Sequence, residues 1–502
     1  MEAHDAAVAD IASHVQGFSE RQQPFRIYHG STNSTRPSQY RRDNIVDIRE
    51  LTNILGVDQK KKTVLAEPNV PMDALVDETL KYGLVPPVVM EFPGITVGGG
   101  FSGTSGESSS FRYGFFDRTV NWIEMVLANG EKTTASQEHQ QDLFWGAASS
   151  FGTLGVVTLL EIQLIEAKTH VELTYFRCKS VKEAVEQMKE CTNDQSYDYL
   201  DGIVFARDWI AVCAGRLKDN SPKQARIQRF LRAKDPWFYL HAKKVTKSSS
   251  SPSVETIPLV DYLFRYDRGG FWVGRYAFDY FLVPFDCFSR WLMDRLMRTR
   301  VLYHALHKSG LSKENLVQDV AVPYEATSEF VEWLHHNFGH YPLWICPLSQ
   351  RGKMPALPPS LLAEKVKPNA SSLEFLMNIG IWGPGSSNRQ EFLETNRRLE
   401  RKVQDLQGKK WLYAHAYYTE EEFWNIYDRQ EYDSLREKYH ASYLPNIYQK
   451  VHVNLETDYH QSRGVRRLVG NIWPLRGWYG VYKAIRGGDY LLQKEKKPVS
   501  RP

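Results

Sequence analysis

A glycine-rich stretch at residues 91–114 most constrains what this protein can fold into. Seven of its residues are glycine, and serine or threonine separates most of them. Because glycine lets the backbone approach a ligand closely, turned N–H groups in such a run form a concave anion site, to which hydroxyl groups add donors. The stretch has no cluster of cations and therefore predicts a diphosphate site built from backbone. A mobile surface loop is the alternative.

Length and charge limit the class of protein. A sequence of 502 residues can form a large core and two or more domains. A formal net charge of +4 argues against nucleic-acid binding by the protein as a whole. The five cysteines are scattered without a CxxC pair, so neither a metal site nor a disulfide framework is expected. No segment reaches the ~20 apolar residues of a membrane-spanning helix.

The first third of the sequence alternates short strands and helices with candidate ligand loops. Asn129-Gly130 is a strong hairpin signal between two strand-like segments. A tight turn at residues 151–155 precedes a long apolar strand at 156–165. Residues 29–37 are a second candidate phosphate loop, although an ordinary turn explains them equally well. The pattern predicts an α+β fold and not a regular βαβ array.

Residues 98–103 spell the GxGxxG pattern of nicotinamide-binding Rossmann sites. Such a site needs a strand before the motif, a helix opening from it and a parallel strand after it. Here Thr96-Val97 is interpreted as a strand end, and the next clear element after the motif is an antiparallel hairpin. A Rossmann site is therefore rejected.

Three loops in order resemble the flavin loops of the vanillyl-alcohol-oxidase type of protein. They are the loop from Gly30, the stretch from Thr96 to Gly114, and residues 142–158 with Asp-Leu-Phe-Trp and Gly-Thr-Leu-Gly. The resemblance implies a two-subdomain PCMH-type FAD-binding domain plus a C-terminal α+β substrate (cap) domain. The residues that it assigns to FAD are Gly30, Ser31, Thr32, Asn33, Ser34, Thr96, Val97, Gly98, Gly99, Gly103, Thr104, Ser105, Gly106, Ser109, Gly152, Gly155, Val156 and Val157.

Further motifs narrow the resemblance to the Δ24-sterol reductase branch of this family, over about residues 25–451. They lie at residues 106–110, 316–319, 341–347, 412–424 and 435–438. Three features depart from that branch. Its membrane-anchoring N-terminal helix is not seen, His415 stands where an acidic residue is common, and the tail after Val453 is extra. Because His29 precedes the glycine, outside the usual attachment position, non-covalent FAD is expected.

The resemblance implies that hydride passes from NADPH through flavin N5 to a C=C bond. An unactivated alkene accepts hydride poorly, so a positioned acid must protonate it. Residues 410–418 are expected to form a strand that places Tyr413, His415 and Tyr417 on one face, as candidate donors. Asp319, in an apolar strand, is a candidate for orienting the donor. Core packing of the aromatic residues and turn capping by Asp319 are the alternatives.

We predict a FAD-binding domain at residues 1–167, a cap domain at 168–455 and a basic-aromatic tail at 456–502. The tail has ten Lys/Arg and four Asp/Glu, a net charge of 10 − 4 = +6. Residues 271–307, rich in Arg and aromatic residues, are a candidate membrane-contact segment or a pair of packing helices. The tail either attracts anionic lipids or is disordered.

The predicted function is reduction of a C=C bond in the side chain of a sterol or terpenoid, with FAD as cofactor and NADPH as hydride donor. The expected partner is a hydrophobic small molecule, without nucleic acid or metal. The expected location is cytoplasmic or peripheral on the cytosolic face of the endoplasmic reticulum. Two alternatives stay open: an FAD-dependent oxidase of a small alcohol, and a flavin-binding protein without catalysis.

Overall fold

The computed structural model describes residues 1–30, 34, 40–219, 227–248, 252–350, 375–386, 388–453 and 473–487. The predicted Ser31, Thr32 and Asn33 lie outside them. Both helices and antiparallel sheets build the described part, which confirms the α+β prediction.

The first region is built around a five-stranded antiparallel sheet. Its helices are α1 (Glu2–Glu20), α2 (Met72–Leu80), α3 (Val97–Ser102), α4 (Ser110–Tyr113) and α5 (Gln141–Ser149). Its strands are β1 (Arg26–Tyr28), β2 (Ile45–Asp47), β3 (Ile54–Asp58), β4 (Thr63–Ala66), β5 (Leu84–Val85), β6 (Val120–Leu127), β7 (Lys132–Ser136), β8 (Gly155–Gln163) and β9 (Ile165–Glu166). The sheet has the order β3-β4-β8-β6-β7, while β1 pairs with β2 and β5 with β9 outside it.

The hairpin expected at Asn129-Gly130 is confirmed. Strands β6 and β7 pair antiparallel, with Trp122 opposite Ser136 and Val126 opposite Lys132. Gly130 has a φ of 91°, which a residue with a side chain rarely adopts. Because β6 also pairs antiparallel with β8, no parallel strand follows the GxGxxG pattern within this sheet, and the rejection of a Rossmann site holds.

The second region is built around an eight-stranded antiparallel sheet of order β13-β10-β12-β11-β15-β16-β14-β17. Its strands are β10 (His170–Cys178), β11 (Tyr199–Ala206), β12 (Trp209–Lys218), β13 (Ser253–Pro258), β14 (Asn315–Pro323), β15 (Leu343–Ser349), β16 (Phe375–Pro384) and β17 (Lys409–Lys410). Its helices are α6 (Val181–Asn193), α7 (Phe238–Ser248), α8 (Leu259–Leu263), α9 (Gly274–Tyr280), α10 (Cys287–Leu292), α11 (Thr299–Ser309), α12 (Thr327–Asn337) and α13 (Arg389–Asp405).

The polypeptide then returns to the first region. Three helices follow the second sheet: α14 (Glu420–Ile426), α15 (Arg429–Lys438) and α16 (Ile447–Val451). Lys438 pairs with Asp142 of α5 at 2.6 Å, and the Tyr443 hydroxyl donates to the carbonyl of Ala128 at 2.6 Å. Residues 420–453 thus pack partly on the first region, although the predicted cap domain extends to 455. The domain boundaries stay a prediction.

One described helix follows, α17 (Leu475–Arg486), and it packs against α11. The rest of the predicted tail, at residues 456–472 and 488–502, lies outside the described residues. Within the described part of the protein, no helix combines the length and the hydrophobicity needed to cross a bilayer.

Two local predictions were wrong. Of residues 410–418, only Lys410 belongs to a strand, β17, and the backbone then turns. Alternation along a strand therefore does not determine where Tyr413, His415 and Tyr417 point. Thr96-Val97 is not a strand end, because Thr96 caps α3, its hydroxyl accepting from the Gly99 N–H at 3.2 Å. A local helix cap overrode the strand preference at Thr96, whereas contacts with residues distant in sequence overrode it at 410–418.

Helix α1 docks on the five-stranded sheet through a buried histidine. The His4 ring lies between the carboxylates of Glu67, at 2.8 Å, and Glu124, at 3.1 Å. Asn53 and Thr158 donate to the same two carboxylates. The helix therefore covers two acidic groups that burial alone would disfavour.

We expect His4→Ala to lower the free energy of unfolding by about 1–3 kcal/mol, because it leaves the buried Oε1 of Glu67 without its donor. His14→Ala, at an exposed position on the same helix, is the control and should change it by less than about 0.5 kcal/mol. Urea denaturation measures both. Equal effects would mean that the histidine bridge does not hold the helix.

Candidate functional site

A cavity of about 1050 Å³ lies between the glycine-rich stretch and the second sheet. Its volume is at the upper end of the roughly 300–1,000 Å³ of ligand sites. One end is lined by the loops of the first region, and the other by α9, α11 and α17. Trp344, Trp382 and Phe271 also line the cavity, and their rings contact one another.

Most of the described residues that we assigned to FAD line the first end. They are Ser34, Thr96, Gly98, Gly99, Gly103, Ser105, Gly106, Gly152, Gly155 and Val157. The backbone is tightly fitted there: a Cβ on Gly98 would lie 2.7 Å from Cβ of Pro68, and one on Gly152 would lie 2.5 Å from Cδ1 of Ile27. The glycines thus let three separate loops converge on one surface.

Five assigned residues do not line this cavity. Val97 and Val156 are buried in the core behind the loops, and Ser109 is buried at the start of α4. The Thr104 hydroxyl donates to the carbonyl of Gly103 at 2.8 Å. At Gly30, whose φ is +79°, a Cβ would lie 2.9 Å from the Arg49 side chain. These residues shape the loops, and their assignment to FAD itself stays a prediction.

The first end fits a dinucleotide in shape and in charge. Its glycine backbone leaves an open surface, and Arg26 and Lys450 add positive charge that residue patterns did not reveal. The Lys450 ammonium donates to the carbonyl of Phe151 in the third loop. Desolvation and the charge of Lys450 lower the pKa of His29 to about 4, so this lining imidazole is neutral near pH 7. The structure therefore fits the expectation that these loops hold a diphosphate.

Asp319 and Tyr413 meet on the cavity wall. The Tyr413 hydroxyl donates to Oδ2 of Asp319, and Trp382 and Asn378 donate to the same carboxyl at 3.2 and 3.4 Å. Burial of Asp319 raises its pKa to about 7, although the Trp382 and Asn378 donors oppose the shift. The result is a carboxyl–phenol pair that can hold a proton near neutral pH.

This pair is tied to the glycine-rich stretch and to the first loop. The Trp411 indole donates to the carbonyl of Thr104 at 2.9 Å, and the Ser34 hydroxyl donates to the carbonyl of Tyr413 at 2.7 Å. These long-range contacts, and not strand geometry, fix Tyr413 against Asp319.

The other two candidate donors are placed differently. His415 is buried and lines the cavity, and its carbonyl accepts from Lys410 at 2.6 Å. Tyr417 does not line the cavity, and its ring packs against those of Phe392 and His415. The structure thus brings Asp319, Tyr413 and His415 to one cavity and leaves Tyr417 in the packing around it.

A buried charge cluster beside the cavity was missed by the sequence analysis. The guanidinium of Arg265 lies 2.9 Å from both Glu91 and Asp201, and none of the three side chains is more than 3% exposed. Glu107 is nearby and lines the cavity with Glu91. Desolvation raises the pKa of Glu91 to about 8 and that of Glu107 well above its usual range. Glu91 and Glu107 both belong to the glycine-rich stretch, but no sequence pattern indicated that they lie near Arg265.

We expect Arg265→Met to lower the free energy of unfolding by about 3–5 kcal/mol, because it leaves the fully buried Asp201 carboxylate without its cation. Arg207→Met removes an exposed ion pair with Glu332 and should change it by no more than about 1 kcal/mol. Denaturant titration compares the two variants. Similar stabilities would show that the buried carboxyls are neutral without the arginine.

Known proteins resemble this sequence both in one domain and over most of its length. The model of the FAD binding domain family matches residues 6–136. The Δ24-sterol reductase of Homo sapiens is 28% identical over 465 residues, which is 89% of this chain and 86% of the human protein. The Δ24-sterol reductase of Arabidopsis thaliana is 29% identical over 430 residues, 79% of this chain and 74% of the plant protein.

A shorter match is to cytokinin dehydrogenase 4 of Oryza sativa subsp. japonica, 32% identical over 133 residues, 26% of this chain and 25% of the rice protein. The long matches span both sheets, whereas the domain match and the rice match are each limited to about a quarter of the sequence. The protein therefore has an FAD-binding domain and is related over most of its length to the Δ24-sterol reductases.

Proposed function

We propose that the protein is an FAD-dependent reductase of a C=C bond in the side chain of a sterol or terpenoid, with NADPH as the hydride source. The observation that carries this proposal is a single cavity that joins three glycine- and hydroxyl-rich loops to a buried acid–phenol pair. The names of the long-matching relatives support the same reaction and the sterol class of substrate.

The cavity beyond the pair suits a hydrophobic substrate. Its walls there are mainly aliphatic and aromatic side chains, among them Met293, Leu296, Leu302 and Tyr280. The aliphatic tail of a sterol has no polar group to orient it, so shape and dispersion contacts must place the alkene. The Trp344 and Trp382 rings, packed 6.0 Å apart, provide a rigid wall beside Asp319.

Reduction adds a hydride to one alkene carbon and a proton to the other. Bound FAD would supply the two-electron carrier between NADPH and the substrate, held by the loops that line the first end. When the Asp319 carboxyl is protonated, it can donate to the Tyr413 oxygen, which leaves the Tyr413 O–H to give its proton to the alkene; Asp319 then passes its own proton to the phenolate and becomes the carboxylate. His415 completes the wall around them, and Tyr417 supports its ring.

We also infer that the protein acts at the surface of a membrane, on the cytosolic face of the endoplasmic reticulum. A sterol-like substrate resides in bilayers, and the segment 271–307 presents apolar residues outward. These are Leu282, Phe288, Trp291 and Leu292. The arginines of this segment are not all directed outward, because Arg298 pairs with Asp267 and Arg300 with Asp73.

Anaerobic mixing tests the reaction. NADPH should bleach the flavin absorbance of the purified protein, and a Δ24 sterol should restore it with loss of the alkene. Bleaching by an alcohol, without bleaching by NADPH, would contradict the proposal and favour an oxidase. A bound flavin that neither compound reduces would indicate a protein without this catalysis.

Removal of the donor should slow only the step that consumes the alkene. We expect Tyr413→Phe to lower the rate of flavin reoxidation by sterol about 10²–10⁴-fold, the usual contribution of a positioned acid, with little change in flavin reduction by NADPH. Tyr324→Phe, at a buried tyrosine outside the cavity lining, is the control. Equal rates for the two variants would exclude Tyr413 as the donor.

The rate of this step should depend on pH through Asp319. Because its pKa is raised to about 7, the carboxyl is protonated below that pH and ionises above it, so the reoxidation rate should fall as pH rises through about 7. Stopped-flow measurements between pH 5 and 9 would give the profile. Asp319→Asn should remove this inflection, and its persistence in the variant would assign it to another group.

A further inference from the structure

We propose that α17 is the portal through which a hydrophobic substrate passes from a membrane into the cavity, and that its outer face lies on a bilayer containing anionic phospholipid. The class of substrate rests on the proposed function. The position of the helix rests on the structure alone.

The inner face of α17 closes the outer end of the cavity. Gly477, Trp478 and Val481 line it, together with Tyr280 and Phe281 at the end of α9. On the opposite side, Leu302, Ala305, Leu306 and Ser309 of α11 line the same space. Trp382 and Asp319 line the same cavity.

Close packing sets which face of α17 points inward. A Cβ on Gly477 would lie 2.4 Å from the Tyr280 ring, and one on Gly480 would lie 2.6 Å from the carbonyl of Ala305. Arg476 donates to the carbonyl of Ser309 at 2.5 Å and pairs with Glu314. These contacts orient the helix and direct its other face away from the protein.

That other face is apolar and exposed. Ile485 is 67% exposed, and the remaining large apolar residues are each slightly over half exposed. They are Leu475, Tyr479 and Tyr482 on the helix, Trp473 just before it, and Trp478, which also lines the cavity and so lies at the edge between the two faces. A contiguous patch of this kind marks an interaction surface.

A second exposed group continues the patch. The rings of Phe281 and Trp478 lie 5.0 Å apart, and next to Phe281 in the sequence is Leu282, which is 73% exposed. Phe288, Trp291 and Leu292 of α10 follow. Two segments almost 200 positions apart in sequence thus both present exposed apolar side chains, and they touch at Phe281 and Trp478, which line the cavity.

The charges around this patch favour a bilayer over a second copy of the protein. Residues 473–487 contain no acidic residue, and because Arg476 is paired with Glu314, the cations beside the patch are Lys483 and Arg486. Aromatic and aliphatic residues beside Lys and Arg are typical of helices that lie in a membrane interface. A two-fold contact through α17 would bring like charges together and block the mouth of the cavity.

The test uses the full-length holoprotein and the double variant Tyr482→Ser/Ile485→Ser, because neither residue lines the cavity. Co-sedimentation with phosphatidylcholine vesicles, with and without phosphatidylserine, measures binding. We expect the variant to bind phosphatidylserine-containing vesicles at least about tenfold more weakly, because two apolar contacts are lost. The control Tyr82→Ser/Val254→Ser, at exposed apolar positions in the turn after α2 and in β13, should bind like the original protein.

Substrate access is tested separately. With a Δ24 sterol embedded in vesicles, the double variant should turn over at least about tenfold more slowly, in proportion to its lost binding. With the same sterol carried by cyclodextrin, both proteins should turn over equally, and NADPH should reduce both flavins at the same rate. Loss of vesicle binding with undiminished use of vesicle-embedded sterol would overturn the portal.

Two other results would overturn the proposal. One is unchanged vesicle binding by the double variant. The other is a dimer of the original protein, seen by analytical ultracentrifugation, that the double variant abolishes. If the original protein reduces no sterol in any carrier, the proposed function fails. Vesicle binding and a blue shift of tryptophan fluorescence on the vesicles would still test the bilayer contact.

Discussion

The arrangement of the cavity depends on one buried arginine. Arg265 has no exposed side-chain surface and lies between Glu91, from the glycine-rich stretch, and Asp201, from β11. A buried guanidinium is stable only with its carboxylates in place, so the stretch and the second sheet must meet at this point. Tyr266 and Trp344 donate to Asp201 at 2.8 and 3.1 Å, which extends the constraint to the cavity wall.

The same desolvation makes the site chemically useful. In water, the Asp319 carboxyl would be ionised at neutral pH, but between the indole of Trp382 and the phenol of Tyr413 it holds its proton to about pH 7. The apolar walls exclude water and lower the local dielectric, and this destabilises the charged form of Asp319. Exclusion of water from the cavity therefore serves two purposes: it suits a hydrophobic alkene, and it keeps the Asp319 carboxyl neutral.

Sequence patterns predicted those elements whose geometry is set by neighbours along the backbone. The Asn129-Gly130 hairpin, the glycine loops and the strand after Gly155 were of this kind, since turn chemistry is local. The expected strand at residues 410–418 failed because contacts from Asp319 and Thr104 hold Tyr413 and Trp411 in a turn. The candidates on it were still useful, as Tyr413 and His415 do line the cavity.

The sequence by itself determined that loops rich in glycine and hydroxyl residues occur in the order of an FAD-binding domain, because close backbone approach requires glycine at particular positions. Only the tertiary structure decided which acid faces the cavity, which arginine lies against Glu91, and that α17 lines the outer end. Each of these depends on groups far apart in sequence. Their distance, burial and ionisation are set by folding, so a one-dimensional pattern does not contain them.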